Sequence, residues 1–137
     1  GRLVRPGDSI AALGGDKVGI RDDTVRIRKP FMRVNQHTGE EELFDPSQIF
    51  CSPSIRYCDL PQYAKETEWC AEDGTRYKAK VAFQLRLRPG TYKVGQETVR
   101  AKGEIDPHIS NTEIEWYTQG TEHASHVLTG LMVKLRP

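Results

Sequence analysis

Lys78-Ala79-Lys80-Val81-Ala82-Phe83-Gln84-Leu85-Arg86-Leu87-Arg88 reads KAKVAFQLRLR, and this stretch decides the class of fold. Val81, Phe83, Leu85 and Leu87 alternate with Ala82, Gln84, Arg86 and Arg88. A period of two puts the apolar side chains on one face of a β-strand and the polar ones on the other. Pro89-Gly90 follows at once, a pair suited to a turn, so the strand is predicted to stop there.

Strands and short elements follow on both sides. Thr112 to Tyr117, TEIEWY, predicts a strand with Glu113, Glu115 and Tyr117 on one face. Ile114 and Trp116 then lie on the other face, the one expected to seek the core. His126 to Leu135, HVLTGLMVKL, is apolar at most positions and predicts a central strand. Toward the N-terminus, Gln48 to Cys51 predicts a short buried strand. Ser52-Pro53 comes next, and serine as cap with proline at the first helical position predicts a short helix over 54–59, stopped by Pro61. Thr24 to Arg28 alternates and ends before Pro30, which predicts a strand with one charged face, and a short strand is expected around Ser9 to Leu13. The polar stretches 34–47 and 93–106 are expected to be loops. With five or six strands and one or two short helices, the class is α+β with strands dominant.

The bulk properties fit one domain, residues 1–137: 36% of the chain is hydrophobic and 28% charged, enough to bury a core. Its first residues, GRLVRPGDSI, are already turn-like, so the chain is expected to start either with a loosely packed arm or as a piece of a longer polypeptide. The formal net charge of +1 gives no global pull toward nucleic acid or an anionic membrane. No apolar run approaches the roughly 18 residues of a membrane span. Three cysteines, Cys51, Cys58 and Cys70, are an odd number without close pairing. They argue against a disulfide framework and for an intracellular, cytoplasmic or nuclear setting.

Most candidate chemistry is quickly discounted. His123 and His126 lack the further convergent ligands that a zinc site needs, so no metal is expected. Cys51 and Cys58 read as core cysteines rather than nucleophiles. Gly14-Gly15-Asp16-Lys17 does not complete a phosphate-binding loop. Arg26, Arg28, Arg86 and Arg88 read as edge-strand charges that discourage aggregation in preference to an anion site.

One constellation remains: FCSPSIRYC, then VAFQLRLRPG, then TEIEWY, then LTGLMVKL. In order and character these segments resemble the second half of the ADP-ribosyltransferase fold, the fold of poly-ADP-ribose polymerases and arginine-modifying transferases. The likeness spans roughly residues 44 to 135. It implies a split sheet with one or two short helices, and NAD as substrate rather than a bound cofactor. ADP-ribose would be transferred to a macromolecular acceptor, a protein by preference. It further implies that Ser52 and Ser54 form the serine-bearing turn at the nicotinamide ribose and that Tyr57 stacks on nicotinamide. Glu115 would be the catalytic acid of a Glu-x-Glu motif with Glu113 assisting; polymerase-like spacing would also allow Glu113 as the primary acid. The family also holds NAD with a His-Gly pair or an arginine on an early strand, and nothing before Ser52 matches it convincingly.

The physical basis of that chemistry is electrostatic. Loss of nicotinamide from NAD builds positive charge on the ribose, and a shielded carboxylate can stabilise that charge while it holds a ribose hydroxyl. A second carboxylate can orient the acceptor or take its proton. The competing expectation is a non-catalytic, β-rich protein-binding module of a multidomain protein that uses a sheet edge or loops.

Overall fold

The computed structural model describes residues 29–46, 48–118 and 126–137. The expected strands around Ser9 and over Thr24 to Arg28, the Gly14 to Lys17 stretch and His123 lie outside these residues.

Eight strands and one short helix are built from them: β1 (Phe31–Val34), β2 (Glu41–Phe44), β3 (Ile49–Cys51), α1 (Ile55–Cys58), β4 (Thr67–Cys70), β5 (Arg76–Leu87), β6 (Lys93–Gly95), β7 (Glu115–Thr118) and β8 (His126–Arg136). They form three antiparallel sheets with orders β1-β2, β3-β7-β6 and β4-β5-β8. The strand-dominated α+β class is therefore observed. No described helix is long and apolar enough to cross a membrane.

β2 and the last residue of β1 fall in the stretch 34–47 expected to be a loop, and residues 31–33 precede it. The polar sequence concealed this hairpin, because Glu42 on β2 sits directly opposite Arg33 on β1 and the two neutralise each other across the strands. The connection is set by Asn35, whose Oδ1 accepts from the backbone N–H of His37 and Thr38, and by Gly39 at φ 77, a left-handed value glycine adopts without strain.

In the second sheet β7 is central, with Phe50 and Lys93 on opposite sides of Tyr117. Both faces meet the interior. Ile114, just before the strand, is fully buried as expected, and Trp116 is half-buried and stacks on Tyr92; Glu115 and Tyr117 share the other face, and it too is buried, at 3% and 1% exposure. Glu113 does not share the strand: it ends a turn before β7, and the Trp116 indole donates to its carbonyl. Tyr117, Phe44 and Phe50 pack as an aromatic cluster with centroids 5.6–5.9 Å apart.

The third sheet contains the stretch that decided the class. β5 runs twelve residues and pairs with β8 along most of its length, with a register shift between Gln84 and Leu85. β8 is an edge strand among the described residues rather than the expected central one, since its only described partner is β5. The helix also starts later than expected. Ser54, not Ser52, is its cap, because Ser52 Oγ is already engaged with the Ser54 N–H and the Ile114 carbonyl.

Candidate functional site

The serine turn, the helix and β7 converge on one buried carboxylate. Ser52 Oγ donates to the Ile114 carbonyl at 2.6 Å, which ties the end of β3 to the residue just before Glu115. Ser54 Oγ accepts from the Tyr57 N–H at 3.1 Å and donates to Asp106 at 2.6 Å. The cap thus fixes the first turn of α1 and aims Tyr57 inward. Asp106 also accepts from the His108 N–H; these two hydrogen bonds, that from Ser54 first, hold its carboxyl below the ordinary value.

Tyr57 Oη donates to Glu115 Oε2 at 2.7 Å, and Thr98 Oγ1 donates to the same oxygen at 2.9 Å. Tyr57 Oη in turn accepts from the Thr98 N–H at 3.1 Å. Its single proton is committed to Glu115, so in the 3.0 Å contact with Tyr63 Oη the donor is Tyr63. Burial pushes the Tyr57 phenol well above its ordinary value, so it remains a donor throughout the physiological range.

Glu115 is the unusual member. Burial raises its carboxyl above the ordinary value, and the hydrogen bonds from Tyr57 and Thr98 only partly oppose that rise. Both bonds fall on Oε2. Its other oxygen, Oε1, is buried with no hydrogen-bond partner among the described residues. A buried acceptor without a partner costs on the order of 1–3 kcal/mol, so this oxygen is held at a cost that the Tyr57 and Thr98 contacts offset.

Thr98 links the acid to a groove of about 550 Å³ lined by Phe31, Arg33, Phe44, Pro46, Gln96, Glu97, Thr98 and Arg100. Glu115 lies one hydrogen bond behind its wall. The wall is a braced loop: Glu97 accepts from the Val99 and Ala101 N–H groups, its own N–H donates to the Asn111 carbonyl, and Gln96 bridges to β1 through the Val34 carbonyl. Arg100 in this loop has φ 57, a left-handed backbone that costs a non-glycine residue energy and is held by its surroundings.

Arg33 stands on the other wall. Its Nε donates to Glu42 Oε1 at 2.8 Å and its guanidinium lies 3.6 Å from the centre of the Phe44 ring, while Nη2 is buried without a hydrogen-bond partner among the described residues. Burial alone would raise the Glu42 carboxyl, but hydrogen bonds from Tyr117 (2.6 and 2.8 Å) and Arg33 hold it below the ordinary value. Gly95 makes this arrangement possible, since a Cβ there would lie 3.0 Å from both Arg33 Nη2 and Tyr117 Cε1.

The residues expected from the sequence therefore separate. Ser52, Ser54, Tyr57 and Glu115 form one connected network. Glu113 is half-exposed and faces His37, whose Nδ1 lies 3.8 Å from its carboxylate. Thr98, Tyr63 and Arg33 were missed. Thr98 and Arg33 sit in stretches expected to be loop or left unassigned, and only the tertiary contact reveals them. The three cysteines are free; Cys51 is half-buried, its thiol pushed up to about 12 by burial, and its Sγ lies 4.0 Å from His126 Nε2. No family model matches the chain, and no solved structure matches it significantly.

Proposed function

We propose that this chain is an ADP-ribosyltransferase-like domain that takes NAD as substrate and transfers ADP-ribose to a macromolecular acceptor, by preference a protein. The observation that carries the reading is the unpartnered, buried Oε1 of Glu115, on a carboxylate whose other oxygen is clamped by Tyr57 and Thr98. A ribose hydroxyl is the kind of donor that oxygen lacks. Supporting it is the order of parts: a strand, a serine turn, a short helix with Tyr57, and a glutamate that opens a later strand as Glu115 opens β7. The split sheet of the family belongs to the same proposal.

Each residue then has a role set by its chemistry. Glu115 is the catalytic acid: its ionised carboxylate holds the hydroxyl and stabilises the positive charge that grows on the ribose as nicotinamide leaves. Tyr57 acts on Glu115 through its hydroxyl, and its ring, which the resemblance assigns to nicotinamide, also packs on Tyr63. Ser52 and Ser54 shape the turn. Arg100 supplies positive charge beside the groove, suited to the pyrophosphate of a dinucleotide, while the charge of Arg33 is already met by Glu42. Glu113, outside the buried network, is free to meet an acceptor at the surface.

The test is release of nicotinamide from labelled NAD by the wild-type chain, Glu115→Gln and Glu113→Gln. Glu115→Gln is expected to lower the rate about a hundredfold or more, in line with the loss of a transition-state electrostatic contact, and Glu113→Gln to lower it less. Equal rates in all three remove both acids from the mechanism. An absence of NAD binding and turnover leaves the non-catalytic binding module as the better reading.

A further inference from the structure

The β5-β8 ribbon is two-faced. On one side lie the cross-strand pairs Lys78 with Arg136 and Lys80 with Lys134, together with Arg76 and Arg86, which alternate in step with them, and Lys80 and Lys134 both bind Asp59 at the end of α1. On the other side stand the pairs Val81 with Val133 and Phe83 with Leu131, then Leu135, and Trp69 on the adjoining β4. This second side is free of charge. Its six large residues, Trp69, Val81, Phe83, Leu131, Val133 and Leu135, each keep 48–59% of their surface open. The pattern is the one read from KAKVAFQLRLR, but the apolar face meant for a core has no covering layer among the described residues.

An apolar sheet face needs a second layer. The open residues here amount to roughly 600 Å² of surface, at the upper end of what a monomer leaves exposed. Two copies facing each other would bury about 1,200 Å² in total, which reaches the range of specific interfaces. Charge also favours a like partner. The ribbon's cations all lie on the opposite side, and a net charge of +1 per chain gives no long-range repulsion between copies.

We propose that this face is a homodimer interface, in which the β5-β8 ribbons of two copies pack face to face about a two-fold axis. The same patch is then used on both subunits, as an isologous contact requires, with the sheets about 10 Å apart. The proposal does not depend on the NAD reading.

Sedimentation velocity of the 137-residue chain over a range of concentrations tests it. The expected result is a species of twice the 15.5 kDa chain mass. Phe83→Glu or Leu131→Lys should weaken association about a hundredfold or more, since each puts an unpaired charge into the apolar contact. Gln84→Glu, on the charged side, should leave the dimer intact. A wild-type chain that is monomeric at every concentration, or a dimer that survives Phe83→Glu and Leu131→Lys, overturns the proposal. If those variants fail to fold by circular dichroism, amide hydrogen exchange on the wild type decides. Slower exchange in Val81–Phe83 and Leu131–Leu135 as concentration rises supports the dimer, and concentration-independent exchange refutes it.

Discussion

Replacing Tyr57 by phenylalanine isolates what the buried network does for Glu115. The ring and its volume stay; the hydroxyl that donates to Glu115 at 2.7 Å and accepts from the Thr98 N–H at 3.1 Å is lost. A hydrogen bond to a charged acceptor contributes about 1.5–3 kcal/mol, while the Thr98 N–H, on an exposed residue, can turn to water. Where Glu115 is ionised, the variant should therefore lose about 1.5–3 kcal/mol. The cost must depend on pH. Burial raises the folded-state value of Glu115 above its ordinary 4.5, so its contribution to stability is fully present below 4.5 and is lost as pH rises through the folded value. Removing the Tyr57 donor raises that folded value further, so the variant loses more across the same rise. At acid pH, with Glu115 neutral in both proteins, the penalty should shrink to about 0.5–1.5 kcal/mol. Urea unfolding of wild type and Tyr57→Phe from about pH 4.5 to about pH 8 measures this directly. A penalty that stays constant across the range would refute an ionised Glu115 held by Tyr57.

Three further outcomes follow from individual contacts. Gly95→Ala should destabilise the fold by about 1–3 kcal/mol, because the added methyl meets Tyr117, whose hydroxyl proton is shared between the two oxygens of Glu42; thermal unfolding would detect it. Ser54→Ala removes both the helix cap and the hydrogen bond to the buried Asp106 carboxylate and should cost about 2–4 kcal/mol by chemical denaturation, with Ser54→Thr, which keeps the hydroxyl, recovering part of it. Glu42 behaves opposite to Glu115. Its lowered folded-state value means stability that is present above 4.5 and lost as pH falls through the folded value, so Glu42→Gln should flatten the acid limb of the stability profile. An unchanged acid limb in that variant would count against the Tyr117 and Arg33 contacts as its cause.

How far the residues spoke for themselves varied with the kind of signal. Period-two alternation marked β5, and apolar density marked β8, because both patterns persist over many residues. Apolar density could not place β8 within its sheet, since a long run of leucine and valine looks the same at an edge as in the centre. The β1-β2 hairpin escaped because its acidic residues resembled a loop; its stability comes from the Arg33 and Glu42 pairing, which only the fold brings together. Glu115 was picked out, but not its burial. A Glu-x-Glu repeat reads as a solvated face, and nothing local announces that Tyr57, 58 positions earlier, will supply a hydrogen-bond donor. Thr98 carried no local signal for the same reason.

The central claim is that the buried Glu115 carboxylate, one hydrogen bond behind the groove wall, serves NAD, and amide chemical-shift mapping by nuclear magnetic resonance tests it most directly. Titration of the wild-type chain with NAD to about 1 mM should shift the amides of Glu115, Thr98, Tyr57 and Arg33 together with a single saturation curve, and Glu115→Gln should weaken or abolish those shifts. Shifts confined to other parts of the chain, or an unchanged titration in Glu115→Gln, would contradict the account.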